Sequence, residues 1–160
     1  MSQNYLSIYA KSFNWAGFFL PKSKYNNCST LYDFCRTVDN IADEEDNLDI
    51  KKKNFKEFKK RFYEKDFSSI KIKNMWQLIQ EFSISTKIID DLFDGIETDL
   101  QEKVLLSNEK DLLIYSYRVA GTVGLMMAKI LKVKSNLALF SAIDLGLSLI
   151  HISEPTRLHV

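Results

Sequence analysis

The chain has 160 residues, enough for one domain with a sizeable core, and 46% of them are hydrophobic, which excludes a disordered tail. Gly and Pro number only five and two, favouring long helices over a turn-rich β fold, and a net charge of +1 gives no global attraction for nucleic acid. The only cysteines, Cys28 and Cys35, do not make a zinc signature and suit a reduced, cytoplasmic interior.

Helix signals dominate from the start. Residues 4–19 form a first helical stretch, stopped by Pro21, and residues 1–10 lack the basic start and apolar run of a signal peptide. Ser23 is placed to cap a second helix running to about Glu44, and the acidic run 43–49 reads as a loop. Asp49 is placed to cap a third, in which Phe55, Phe58 and Phe62 recur at core spacing. Lysines cluster there, at 51–53 and 59–60, and read as a solvated helix face.

A fourth helix is expected over 74–82. A fifth, over 86–100, carries Ile88, Ile89, Leu92, Phe93 and Ile96 on one side. A sixth covers 109–131 after a cap at Ser107 or Asn108, and Ser135 opens a seventh. The most apolar stretch, 112–131, is long enough to span a bilayer. It contains Arg118, however, and a charged Arg near the centre costs about 2.5–3.5 kcal/mol, so a buried helix is the better reading.

Residues 147–157 read LSLIHISEPTR and resemble the conceptual translation of a transposase sequencing adapter. On that reading 1–146 is the native domain part and 147–160 an artefact to be set aside in fold reasoning. Both histidines, His151 and His159, lie in or beyond this segment. The remainder has no His, which excludes Ser-His-Asp, Cys-His and His-ligated zinc mechanisms and leaves carboxylates, Arg, Lys, Tyr and Ser.

The residues best arranged for chemistry are Tyr32, Arg36, Asp39 and Asp43. At about 100° per residue they fall within roughly 60° of one another on a helix, while Phe34, Val38 and Ile41 point elsewhere and can bury. Two carboxylates one turn apart suit a hard divalent cation, which is typically held by one or two carboxylates plus substrate phosphates. Arg36 can fork onto a carboxylate or a diphosphate. Spacing alone also fits a solvated helix end. A second feature is YSYRVAGTVGLMMA at 115–128, where Gly121 and Gly124 interrupt an apolar helix. Gly costs about 1 kcal/mol relative to Ala there, so close helix approach or room for an apolar ligand is expected. Tyr115 and Arg118 add a polar edge to a wall of Val119, Ala120, Val123 and Gly124.

Taken together, KSFNWAGFFLP at 11–21, LYDFCRTVDNIADE at 31–44, YSYRVAGTVGLMMA at 115–128 and AIDLGL at 142–147 resemble, in order and spacing, blocks of the squalene/phytoene synthase family. The resemblance spans about the first half of a family member. It implies an all-α isoprenoid-synthase helical bundle, truncated here, and a Mg2+-dependent prenyltransferase, with Mn2+ as an alternative ion. The implied reaction joins two prenyl diphosphates head to head through a cyclopropylcarbinyl diphosphate, geranylgeranyl diphosphate giving phytoene in carotenoid biosynthesis. Asp39 and Asp43 would bind the metal, and Arg36 and Tyr32 the diphosphate or metal shell. Lys11 and Ser12 would contact diphosphate, with Phe13 near the prenyl chain. Tyr115 would face the reacting centre, and Val119, Ala120, Val123 and Gly124 would line the prenyl tunnel.

The chain departs from the family pattern in three places. Asn40 stands where many members have a second consecutive Asp, and Tyr9 where some have His. The family's second aspartate-rich motif is expected soon after Gly146, where the adapter-like tail stands, so this chain alone is expected to be inactive. A squalene or dehydrosqualene synthase using farnesyl diphosphate is the close alternative, with NADPH only for squalene. A non-catalytic relative acting as an assembly factor is the alternative of another class. A hydrocarbon product implies a cytoplasmic enzyme at the inner membrane surface, without a dedicated anchor and without a nucleic-acid partner.

Overall fold

The apolar spacing that marks helices in the sequence is what the chain folds on. A computed structural model describes residues 19–43, 47–101 and 108–153, and among these every regular element is helical. The elements are α1 (Lys22–Asp43), α2 (Leu48–Tyr63), α3 (Ile70–Glu81), α4 (Thr86–Asp99), α5 (Glu109–Ser116), a π-helical turn (Tyr117–Gly121), α6 (Thr122–Ile130) and α7 (Asn136–Ser153). The stretch expected as a helix over 4–19 lies outside the described residues apart from Phe19, as do Lys11, Ser12, Phe13 and Tyr9.

α1 is the central element. Cys28, Leu31, Phe34, Val38 and Ala42 are buried on it at helical spacing, and it packs against α2, α3, α4 and α6. Phe34 meets Phe58 and Phe62 of α2 and Phe93 of α4, with ring centroids 6.0, 5.5 and 6.3 Å away. Phe62 also packs edge-on to Phe93 at 5.4 Å and stacks on Trp76 at 5.3 Å. The Trp76 indole N–H donates to the Phe62 carbonyl at 2.9 Å, so its one polar atom is satisfied. The expected stripe Phe55, Phe58 and Phe62 is therefore core, each ring removed from water contributing about 1.5–3 kcal/mol.

Helix boundaries correct the sequence reading in several places. α1 begins at Lys22, with the Pro21 carbonyl accepting from the Tyr25 N–H at 3.0 Å, so Ser23 lies inside the first turn and does not cap. Proline's fixed φ already starts the turn. Asn47, not Asp49, caps α2, its side chain accepting from the Asp49 and Ile50 N–H groups at 2.9 and 3.1 Å. Asp49 sits in the first turn, where a negative charge suits the helix N-terminus. α3 begins at Ile70, four residues earlier than expected. Asn108 caps α5 by accepting from the Asp111 N–H at 2.9 Å.

The expected single helix over 109–131 is divided by the π-helical turn, where the Thr122 N–H donates to the Tyr117 carbonyl. Such a turn inserts one residue and re-aims the side chains around it. Among the described residues no helix is long and apolar enough to cross a membrane. α7 runs continuously from Asn136 to Ser153.

Candidate active site

α1 carries the four predicted residues in the expected order on its polar side. Tyr32 and Asp39 are half-buried, and Arg36 and Asp43 are exposed. Arg36 makes no ion pair among the described residues, so its guanidinium remains available to an anion. Phe34 and Val38 point into the core, and Ile41 packs against its edge.

Asp39 is the electrostatic centre of this face. Burial pushes its carboxyl up to about 7, with Asp43 one turn away and Asp99 of α4 adding to the effect as like charges. Asp99 thus belongs to the same cluster, although the sequence of α4 points first to its apolar stripe. The available signal is its polar side, where Asp90, Asp91, Asp94, Glu97 and Asp99 crowd into ten residues.

Each of these acids has a partner. The Tyr115 hydroxyl donates to Asp99 Oδ1 at 2.7 Å, and the Tyr117 hydroxyl to Asp91 Oδ2 at 3.4 Å. Arg118 Nη2 lies 3.4 Å from Asp94 Oδ2, and Lys59 Nζ is 2.9 Å from Glu97 Oε1. The Tyr63 hydroxyl donates to Asp90, which pushes the phenol pKa up beyond what burial does. The α5–π segment therefore lies along the acidic side of α4 and brings Tyr115, through Asp99, to the Asp39–Asp43 edge.

The fit is close enough to require glycines. A Cβ on Gly95 would lie 2.8 Å from Val119 Cγ1 and 2.9 Å from Arg118 Cβ. At Gly124 a Cβ would collide with the Ala142 carbonyl oxygen of α7 and lie 3.0 Å from its carbonyl carbon. Of the two reasons expected for Gly124, close helix approach is the one realised. The four expected tunnel residues do not share one neighbour: Val119 packs on α4 and Gly124 on α7, Val123 packs against the core, and Ala120 is half-buried.

The donor set fits a Mg2+ ion that shares its shell with a ligand. Among the described residues no group of three or more His, Cys, Asp or Glu side chains is arranged to hold a metal by itself. Asp39 and Asp43 instead offer the one or two carboxylates that Mg2+ takes beside phosphate oxygens and water. Like-charge crowding at a half-buried Asp39 is what a bound cation would relieve.

Comparison with known proteins places this arrangement in context. The family model described as squalene/phytoene synthase matches residues 6–151. The chain is 28% identical over 142 residues to the bifunctional lycopene cyclase/phytoene synthase of Blakeslea trispora, covering 76% of this chain and 23% of that protein. It is 47% identical over 58 residues to the 15-cis-phytoene synthase of Pantoea ananas, covering 36% of this chain and 18% of that protein. The 15-cis-phytoene synthase of Paracoccus sp. is 41% identical over 58 residues, with 36% and 19% covered. The chain thus spans about a fifth of the length of these relatives.

Proposed function

The chain belongs to the squalene/phytoene synthase family, and from that premise we propose that it serves a Mg2+-dependent prenyltransferase joining two geranylgeranyl diphosphates head to head to phytoene. The observation that carries the reading is Asp39, half-buried and crowded by Asp43 and Asp99 on the face that also bears Arg36. Two relatives bear the name 15-cis-phytoene synthase, which favours the C40 product.

In this reading Asp39 and Asp43 hold the cation, which when bound neutralises charge on a departing diphosphate. Arg36 forks onto the diphosphate oxygens and orients it. Tyr115, fixed by its bond to Asp99, presents its phenol ring and hydroxyl at the same edge. Val119 and Ala120 of the π-helical turn and Val123 of α6 keep water from a prenyl chain laid beside them. Peripheral association with a membrane follows from a lipid substrate and a hydrocarbon product.

Incubation of the intact parent protein with Mg2+ and either geranylgeranyl or farnesyl diphosphate tests the substrate. A C40 hydrocarbon supports the reading, and a C30 product alone rejects it in favour of a squalene-type reaction.

A further inference from the structure

Thr122 is fully buried, and it stands where the helix that starts at Glu109 returns from π to α winding. In a regular α-helix its N–H would donate to the Arg118 carbonyl, four residues back. Here the N–H donates to the Tyr117 carbonyl, and the Thr122 hydroxyl takes the Arg118 carbonyl instead, at 2.7 Å. Thr30, Thr37 and Thr98 make the same kind of side-chain bond, at 3.0, 2.7 and 2.9 Å, but inside unbroken α-helix. There the hydroxyl supplements a backbone bond, whereas at Thr122 it replaces one. Because Thr122 is shut off from solvent, water cannot take over from the hydroxyl.

The turn sets the phase of everything before it. One inserted residue rotates the preceding helix by about 100° relative to the following one. With it in place, the Tyr115 hydroxyl reaches Asp99 at 2.7 Å, Arg118 Nη2 reaches Asp94 at 3.4 Å and Val119 fits over Gly95, while Gly124 beyond the turn lies close against Ala142. Wound back from Thr122 as a continuous α-helix, the chain would bring Ser116 to the position that Tyr115 holds, and a serine is too short to span the same gap. We infer that Thr122 is a positioning residue: its hydroxyl holds the inserted residue in the turn, and thereby puts the Tyr115 phenol opposite Asp99 at the Asp39 edge. A consequence for ligand binding rests on the proposed metal–diphosphate function; the placement of Tyr115 does not.

Thr122→Val, which removes the hydroxyl at nearly constant volume, and Thr122→Ser, which keeps it, provide the test. In 13C-tyrosine NMR, with the Tyr115 signal assigned through Tyr115→Phe, Thr122→Val should move that signal toward a solvated tyrosine, and Thr122→Ser should leave it in place. Mg2+-dependent binding of geranylgeranyl thiodiphosphate should weaken about ten-fold in Thr122→Val, the worth of one hydrogen bond, and about two-fold or less in Thr122→Ser. Added to Tyr115→Phe, Thr122→Val should weaken binding by no more than about two-fold further, because both changes act through one phenol. A Thr122→Val chain that is less stable but keeps the Tyr115 signal and the affinity has lost only a structural bond, which overturns the inference. Losses that multiply in the double variant also overturn it. In the unsubstituted chain the Thr122 hydroxyl proton should exchange with solvent more slowly than that of Thr37, whose bond is exposed. Exchange at equal rates overturns the inference without any variant having to fold. If the unsubstituted chain binds no thiodiphosphate, the metal–diphosphate reading fails, and the Tyr115 signal still decides the role of Thr122.

Discussion

The Tyr115 hydroxyl donates a 2.7 Å hydrogen bond to Asp99 Oδ1, and Asp99 is one of the two carboxylates that crowd Asp39. One phenol thereby ties α5 to α4 and holds the Asp99 carboxylate whose charge reaches Asp39 of α1. Tyr115→Phe removes that bond from a charged acceptor, which typically costs about 1.5–3 kcal/mol. Urea denaturation should show a loss of this size, while Phe62 and Phe93 keep the aromatic core packed.

Asp39 gives a pH dependence with a definite sign. Its carboxyl is raised from 3.8 to about 7 in the folded chain, so between these values the folded state binds more protons than the unfolded state. Stability from this group is therefore present below about pH 4 and is lost as pH rises to about 7. Asp39→Asn should remove that dependence and stabilise the chain at pH 8 by about 1–3 kcal/mol, since each tenfold change in proton affinity is worth about 1.4 kcal/mol and solvent relaxation discounts the total. Thermal unfolding across pH 4–8 measures it. Mg2+ binding should have the opposite slope, strengthening through pH 7 as Asp39 ionises.

Gly124 and Gly121 should respond differently to a methyl group. At Gly124 the Cβ meets the Ala142 backbone, which cannot turn aside. Gly124→Ala should cost about 1–3 kcal/mol as overpacking, despite better helix propensity. At Gly121 the nearest atoms are the Tyr117 ring, 2.8 Å away, and Ile143 Cγ2, 3.1 Å away, both side chains that can shift. Gly121→Ala should cost less. Chemical denaturation of the two variants side by side gives the ranking.

Among the described residues, three helices end on a non-glycine residue with positive φ: Lys65, Ser83 and Lys132 at 55°, 49° and 59°. Each closes a backbone pattern in which the following N–H reaches back to a carbonyl in the last helical turn: Asp66 to Arg61, Ile84 to Ile79 and Val133 to Ala128, all at 3.0 Å. Glycine adopts this conformation without the Cβ penalty. Ser83→Gly should raise stability by about 0.5–1 kcal/mol, read as a higher unfolding midpoint.

How much is legible in the sequence follows from what each signal depends on. Phe55, Phe58 and Phe62, and Phe34 and Val38, are readable because burial on one helix face leaves a period in a single segment. The order of Tyr32, Arg36, Asp39 and Asp43 is readable for the same reason. Asp99 is not, because its place beside Asp39 depends on how α4 crosses α1. The π-helical turn is hidden because Tyr117–Gly121 keeps helical composition while inserting one residue. The helix ends at Lys65, Ser83 and Lys132 are hidden because glycine, the usual marker, is absent there. Asn47 takes the capping role expected of Asp49 because the helix begins two residues earlier and puts Asp49 in its first turn.

The central claim is that Asp39 and Asp43 form a metal-dependent diphosphate site, and calorimetric titration of the chain with geranylgeranyl thiodiphosphate in the presence and absence of Mg2+ tests it most directly. Binding should require Mg2+, be lost in Asp39→Ala and Asp43→Ala, and weaken below pH 7. Binding that is indifferent to Mg2+, or that survives both substitutions in a folded chain, would contradict it.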